Sequence, residues 1–348
     1  MGSGGPFGGS SRRWRNLLAA AARGALRLVR RLPLADRAEA FVLRAVWGTG
    51  SAEMLDVYLV SGYQNPRINL QSVLERHFLI QAVVGDAAHD LMRAEVRFAI
   101  ELNEVLRRRA RELGVTMGSY RDPAKHRAVR QVDAAIADRE HEMIGRWRGQ
   151  LDAHSSAERP SVIELACGSA NDYRAYAEAG LDRHLQYVGI DLSPKNIANA
   201  RRRHPDARFE VGDILDVRYG DRSFDFVVAS DIFEHLSPRA MEHALDECAR
   251  LARDALVLTF FNMHDAPEHE INPRGPYHWN RLSRDLVARR LRERGFRSIV
   301  AVPIGRWLRD RHGYPHSYNR HAWTLFAERE PRVTSRLPHD LTVGTPSP

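Results

Sequence analysis

Beyond Pro160 the chain alternates short apolar runs with helical segments, and this rhythm limits the fold more than any other feature. Residues 161–166, 186–191, 208–212, 224–230 and 255–261 are strand-length runs rich in Val, Ile and Phe. Segments of helical character, 172–179, 194–203 and 238–253, fall between the first three runs and between the fourth and fifth. Strands separated by crossover helices pair in parallel, so the pattern predicts an α/β fold with a doubly wound, mostly parallel sheet. A further helix over 283–294 precedes runs at 297–304 and 321–328, which read as a closing pair.

In an open parallel sheet, ligands bind beyond the carboxyl ends of the strands, where strand order reverses. The first run ends in Glu164-Leu165-Ala166-Cys167-Gly168-Ser169-Ala170-Asn171-Asp172. Its small residues let a ligand approach the backbone, and the helix start offers amide donors. The second run ends in Gly189-Ile190-Asp191-Leu192, a carboxylate at the distance from a glycine loop where α/β folds hold a ribose. The third leads into Gly212-Asp213-Ile214, an acid for an adenine amino group beside an apolar cover. Each acid alone is equally a solvated carboxylate or a cap; three in succession point to one nucleoside-like ligand.

These segments, V-I-E-L-A-C-G-S-A-N-D, Y-V-G-I-D-L-S, F-E-V-G-D-I and F-D-F-V-V-A-S-D-I-F-E-H-L, resemble the class I S-adenosylmethionine-dependent methyltransferases over about 170 residues. The resemblance implies a seven-stranded Rossmann-like methyltransferase fold and S-adenosyl-L-methionine as cofactor. By it, Glu164 and the loop of Ala166, Gly168, Ser169 and Ala170 would hold the methionine portion. Asp191 and Leu192 would serve the ribose side and Asp213 with Ile214 the adenine, while Ser230 and Asp231 would border the sulfonium. Ala166 and Ala170 stand where the family more often has glycine. The turn lacks the G-x-G-x-x-G spacing of dinucleotide enzymes.

Transfer to a hydroxyl requires a base, and His264 or His235 is the candidate, each in a loop following a late strand. His264, Asp265, His269 and Glu270 are also metal-ligand types, but their spacing matches no metal signature, so no metal is assigned. The base-amine turn Asn/Asp-Pro-Pro-aromatic is absent after the fourth run, where Ser230-Asp231-Ile232-Phe233 stands, and neither cysteine lies in that neighbourhood. Nucleic acid is therefore disfavoured as acceptor. The expected reaction is O-methylation of a small metabolite, sugar or lipid-linked glycan. The alternatives are an RNA or protein methyltransferase that binds through a basic tail, or a non-catalytic cofactor-binding scaffold.

That tail is where the charge lies. Of the net +8, residues 1–48 contribute +7, from nine arginines against Asp36 and Glu39. Trp14, Leu18, Ala21, Ala25, Leu28 and Leu32 recur at helical spacing opposite Arg15, Arg23, Arg27 and Arg30. Residues 12–32 thus read either as a helix lying on an anionic membrane surface or as one docked on its own protein. The expected division is a basic tail over 1–48, a helical region over 49–151, a methyltransferase domain over 152–330 and a disordered tail over 331–348. Within the helical region, the polar segment 62–69 reads as a connector or as a lid carrying Tyr63 and Arg67. Two cysteines, Cys167 and Cys248, without a Cys-x-x-Cys pair fit a reducing compartment. No apolar run is long enough to span a bilayer and the start lacks a secretory core, so a cytoplasmic protein is expected, with the arginine helix as its link to an inner membrane surface.

Overall fold

The computed structural model describes residues 73–85, 96–97, 100–101, 137–154, 158–314 and 321–332. The arginine helix of residues 12–32 and the segment 62–69 lie outside them. Among the described residues, the helices α1 (Val73–Val84) and α2 (Ala137–His154) precede the sheet. They belong to the same compact unit as the α/β domain. Then follow β1 (Ser161–Leu165), α3 (Asn171–Ala179), β2 (Gln186–Asp191), α4 (Pro194–Arg203), β3 (Arg208–Val211), β4 (Phe224–Ser230), α5 (Pro238–Leu251) and β5 (Ala252–Phe260). The chain closes with α6 (Arg284–Glu293), β6 (Ser298–Pro303), α7 (Ile304–His312) and β7 (Trp323–Glu328).

The seven strands lie in the order β6-β7-β5-β4-β1-β2-β3, and β7 alone runs antiparallel to its neighbours. The chain winds from β1 to β3 on one side and from β4 onward on the other, so the switch point falls between β1 and β4. The expected closing pair is present, but with a helix, α7, between its strands that the sequence pattern does not announce. The buried residues of α7 are only Ile304, Gly305, Trp307 and Leu308, followed by Arg, Asp and His, too short a pattern to separate from a loop.

Helix starts follow local chemistry. Ser193 and Ser237 accept from the amides of Asn196 and Ala240, and each is followed by a proline at the first helical position. On α5, Met241, Ala244, Leu245, Cys248 and Leu251 are buried at three- and four-residue steps, which seats the helix on the sheet.

Side chains alternate across a strand, so the two apolar layers fix which way each strand end points. Val162, Tyr187, Phe226, Val228 and Val257 face the layer holding α1 and α3. Ile163, Leu165, Val188, Ile190, Val227, Ala229 and Leu256 face the layer of α5 and α6. By the same parity Glu164, Asp191 and Ser230 fall on the α1 side. Helix α1 is buried nearly all round: Phe78 stacks on Phe326 at 5.1 Å between ring centres and meets Phe226 edge-on at 5.8 Å.

Candidate functional site

The loop after β1 is held in an unusual backbone conformation. Ala166, Gly168 and Ala170 all take positive φ, at 59°, 57° and 66°. Left-handed backbone suits glycine and costs alanine energy, so two of these three positions are strained by their methyl groups. The reward is a tight turn that is stitched to the next strand. Cys167 N–H donates to the Ile190 carbonyl at 2.9 Å, and Gly168 N–H donates to Asp191 Oδ2 at 2.9 Å. The other carboxylate oxygen of Asp191 accepts from Ser193 N–H at 2.9 Å and Asn196 Nδ2 at 3.0 Å. Ser169 Oγ lies 3.5 Å from Asn196 Oδ1. Asp191 is therefore a hub for both loops. Beside it Leu192 is 69% exposed, an apolar side chain left at the rim.

At the end of β3, Gly212 N–H donates to the Asp191 carbonyl, which sets the third strand end against the second. Asp213 Oδ1 accepts from Leu215 N–H at 2.9 Å, a local turn bond. Ile214 packs partly buried on the α5 layer. At the end of β4, Asp231 is again left-handed, at φ 55°, and its N–H donates to the Thr259 carbonyl.

Sequence reasoning missed the residue that joins these strand ends to the helical region. Glu75, in the first turn of α1, is fully buried and accepts from Ser230 Oγ at 2.8 Å and from Tyr176 OH. Glu164, also buried, accepts from Tyr187 OH. Burial, reinforced by Asp172, pushes Glu75 up to about 8. Burial, then Asp172 and Glu75, holds Glu164 well above the usual carboxylate range, and burial brings Asp172 up to about 6. Arg76 opposes the shift at Glu75 and at Asp172. Three crowded carboxyls facing one guanidinium resist ionisation together, and a cationic ligand would relieve them.

The two candidate bases differ. His235 sits in the turn Phe233–His235, with its Nδ1 3.2 Å from the His278 carbonyl. A carbonyl only accepts, so Nδ1 donates here, and in the neutral ring the lone pair falls on Nε2. Around the ring stand Phe261, Trp279 and Tyr277, with ring centres at 5.2, 5.4 and 6.0 Å. Tyr277 and Trp279 are each 47% exposed. His264 by contrast has both nitrogens engaged, Nε2 with Asn262 Oδ1 at 2.9 Å and Nδ1 with Arg281 at 3.4 Å. Burial, then His321 and Arg281, lowers it to about 4.

The residues with metal-ligand chemistry near His264 are committed elsewhere. Asp265 pairs with Arg284 and Glu270 with Arg281, and His269 Nδ1 accepts from Ser283 N–H. Among the described residues no three such side chains gather as a metal site would require. Beneath His235, buried Glu234 accepts from Asn262 N–H at 3.0 Å and is pushed up to about 7 by burial. Asn280 donates to the carbonyls of Glu234 and Leu236, so this network fixes the loops that carry the aromatic cluster.

Residues 162–255 match the family described as Methyltransferase domain. A demethylmenaquinone methyltransferase of Beutenbergia cavernae is 32% identical over 108 residues, 31% of this chain and 42% of the relative. A probable S-adenosylmethionine-dependent methyltransferase of Mycolicibacterium smegmatis is 29% identical over 161 residues, 45% of this chain and 58% of the relative. A fatty-acid O-methyltransferase of the same species is 32% identical over 123 residues, covering 34% and 43%. The chain thus spans about half the length of these relatives. Among the described residues no helix is long and apolar enough to cross a membrane.

Proposed function

The α/β domain of this chain belongs to the class I S-adenosylmethionine-dependent methyltransferases, and from that premise we propose that the protein transfers a methyl group from S-adenosylmethionine to a hydroxyl of a small apolar acceptor. The observation that carries this reading is the convergence of Glu164, the Gly168 loop, Asp191 and Ser230 on one face of the sheet at its switch point. The donor set fits the cofactor: buried carboxyls suit an ammonium and a sulfonium, and Asp191, with three hydrogen bonds already accepted, retains a lone pair for a ribose hydroxyl. An alanine methyl at 166 or 170 leaves the Gly168 side open, since a Cβ built there meets nothing within 4 Å.

When bound, the cofactor supplies an electrophilic methyl group on sulfur. The chain's part is to position the acceptor oxygen and take its proton. His235 is the base, because its Nε2 lone pair is uncommitted and its Nδ1–H is anchored, whereas His264 is too weak a base at about 4. Phe261, Tyr277 and Trp279 form the acceptor wall. Together with partly exposed Ile271 they favour an apolar acceptor over a glycan, and the names of the relatives, a demethylmenaquinone and a fatty-acid enzyme, agree with that choice.

Incubation of the full chain with tritiated cofactor and fractionated cell extract tests both parts. Label should enter the organic-extractable fraction and disappear with Asp191→Ala. Label in the polar or RNA fraction instead would overturn the acceptor class, and label in none would overturn methyl transfer.

A further inference from the structure

A concavity opens at the other end of the sheet. Its walls come from the turn before β4 (Arg222), the start of β5 (Arg253, Asp254), the end of α6 with the turn into β6 (Arg292–Arg297), and the chain after β7 (Arg329–Arg332). All of these lie at the amino ends of the parallel strands. Ser230 pairs with Thr259, six residues beyond Arg253 on β5, so at ~3.3 Å per residue the cavity lies roughly 20 Å from the strand end that holds Ser230. The cavity measures about 870 Å³ and is lined by seven arginines and three acids, a net charge of +4.

Within this lining most charges are spoken for. Arg253 pairs with Asp225, Arg294 with Asp246, Arg297 with Glu330, and Arg332 reaches Asp254 at 3.9 Å. Three arginines have no carboxylate partner among the described residues. Arg329 forms the floor: its guanidinium donates to the carbonyls of Arg294 and Ala249, both at 2.7 Å, and of Ala252 at 3.3 Å, and lies 4.4 Å above the Phe296 ring. These partners are all neutral groups, so its charge stays uncompensated while being partly withdrawn from water. Burial and the neighbouring Arg222 lower its pKa accordingly. Arg222 and Arg292 are exposed at the rim, and Arg222 is held there by its own N–H donating to the Arg250 carbonyl. Folding leaves these three like charges together, and a bound anion would relieve their repulsion.

We propose that this cavity binds a diphosphate-bearing group, with Arg222 and Arg292 as its direct contacts and Arg329 as the fixed positive floor. Guanidinium forks match phosphate oxygens in pairs, and a group with more than one negative charge answers a site with three such cations better than a single carboxylate does. The volume falls in the range of small-molecule pockets and accommodates a nucleotide or a lipid headgroup. Because the site faces away from the strand ends of the methyl-transfer reading, it stands or falls independently of that reading.

The probe is inorganic pyrophosphate, titrated calorimetrically into the full chain at physiological ionic strength. Wild type should bind, and Arg222→Glu and Arg292→Glu should each weaken binding at least about tenfold, the effect of removing one charge-assisted hydrogen bond. Arg306→Glu, at an exposed arginine on α7 outside the lining, should leave it unchanged. Thermal melts on all variants, with Arg222→Gln as a milder replacement, keep folding out of the comparison. Titration with ADP and flotation with phosphatidylinositol-phosphate vesicles separate a free diphosphate from a lipid headgroup, and the same two variants should abolish whichever operates. Failure of wild type to bind pyrophosphate, or equal weakening by Arg306→Glu, would overturn the proposal.

Discussion

Replacing Ala166 by glycine should stabilise this protein, against the ordinary rule that alanine-to-glycine changes weaken a fold. At φ 59° the Ala166 methyl crowds its own backbone, which costs an L-residue about 1–2 kcal/mol. Glycine removes that strain but gives back about 0.4–1 kcal/mol through the greater freedom of the unfolded chain. The residue is only half-buried, so little packing is forfeited, and the balance is a gain of about 0.5–1 kcal/mol, or roughly 1–4 °C in Tm for a domain of this size. Ala170 provides the internal control. Its φ is 66°, but it is 1% exposed and packs in the apolar layer under α1, so removing its methyl costs about 0.8 kcal/mol and the net change is near zero. Gly168→Ala runs the argument backwards: with no atom within 4 Å of the new Cβ, it should destabilise through φ alone, by about 0.5–1 kcal/mol. Urea melts of the three variants at one pH measure all of this. A loss of stability in Ala166→Gly, or equal shifts at 166 and 170, would refute the strain argument.

The remaining predictions concern charge and chemistry. Glu75 has its folded pKa raised to about 8, above its unfolded value, so the native state holds a proton that the unfolded chain has released. Stability should therefore fall as pH rises from about 5 to 8, and Glu75→Gln should flatten that fall in urea melts; parallel curves for both proteins would contradict it. Asp191→Asn keeps the shape of the hub but weakens three accepted hydrogen bonds. If Asp191 holds the ribose as proposed, that contact weakens too, and cofactor affinity by calorimetry should drop at least about tenfold. His235→Gln should lower kcat about 100-fold or more, as expected for removal of a general base, while His264→Gln should leave kcat within about threefold. The reverse order would reassign the base.

What is legible in the sequence follows from where the physics is local. Helix α4 starts where Ser193 and Pro194 place it, and the strands of the parallel core are near-continuous apolar runs because both their faces are covered. The order Glu164, Gly168, Asp191 can likewise be read, since each residue sits at a strand end that the rhythm itself marks. Sequence pattern offers Asp191 as a ribose ligand or as a cap. In the structure the carboxylate braces the start of α4 and also the Gly168 amide, a link between two strand ends that emerges only from its hydrogen-bond partners. Glu75 lies beyond the reach of such reasoning. It is separated from Ser230 by 155 residues, and it sits in VLERHFLIQAVV, a helix buried all round that carries no polar face to mark its charged residues as inward.

Glu75 nevertheless answers a demand that the strands themselves create. Alternation along β1 and β4 sends Glu164 and Ser230 to the face on which α1 packs, so whatever residue occupies the first turn of α1 must meet them. An apolar residue there would leave Ser230 Oγ and Tyr176 OH without their acceptor inside the fold, at about 1–3 kcal/mol each. A carboxyl satisfies both, and it does so by placing a third acid beside Glu164 and Asp172. The helical region therefore contributes to the electrostatics of the strand-end site through a single side chain. Glu75→Ala tests that coupling. It should cost about 2–5 kcal/mol, as two orphaned hydroxyls plus a small cavity demand, while bringing the Glu164 carboxyl down toward the usual carboxylate range. Loss of stability without a change in the pH dependence of cofactor binding would mean that α1 supports the site mechanically and not through charge.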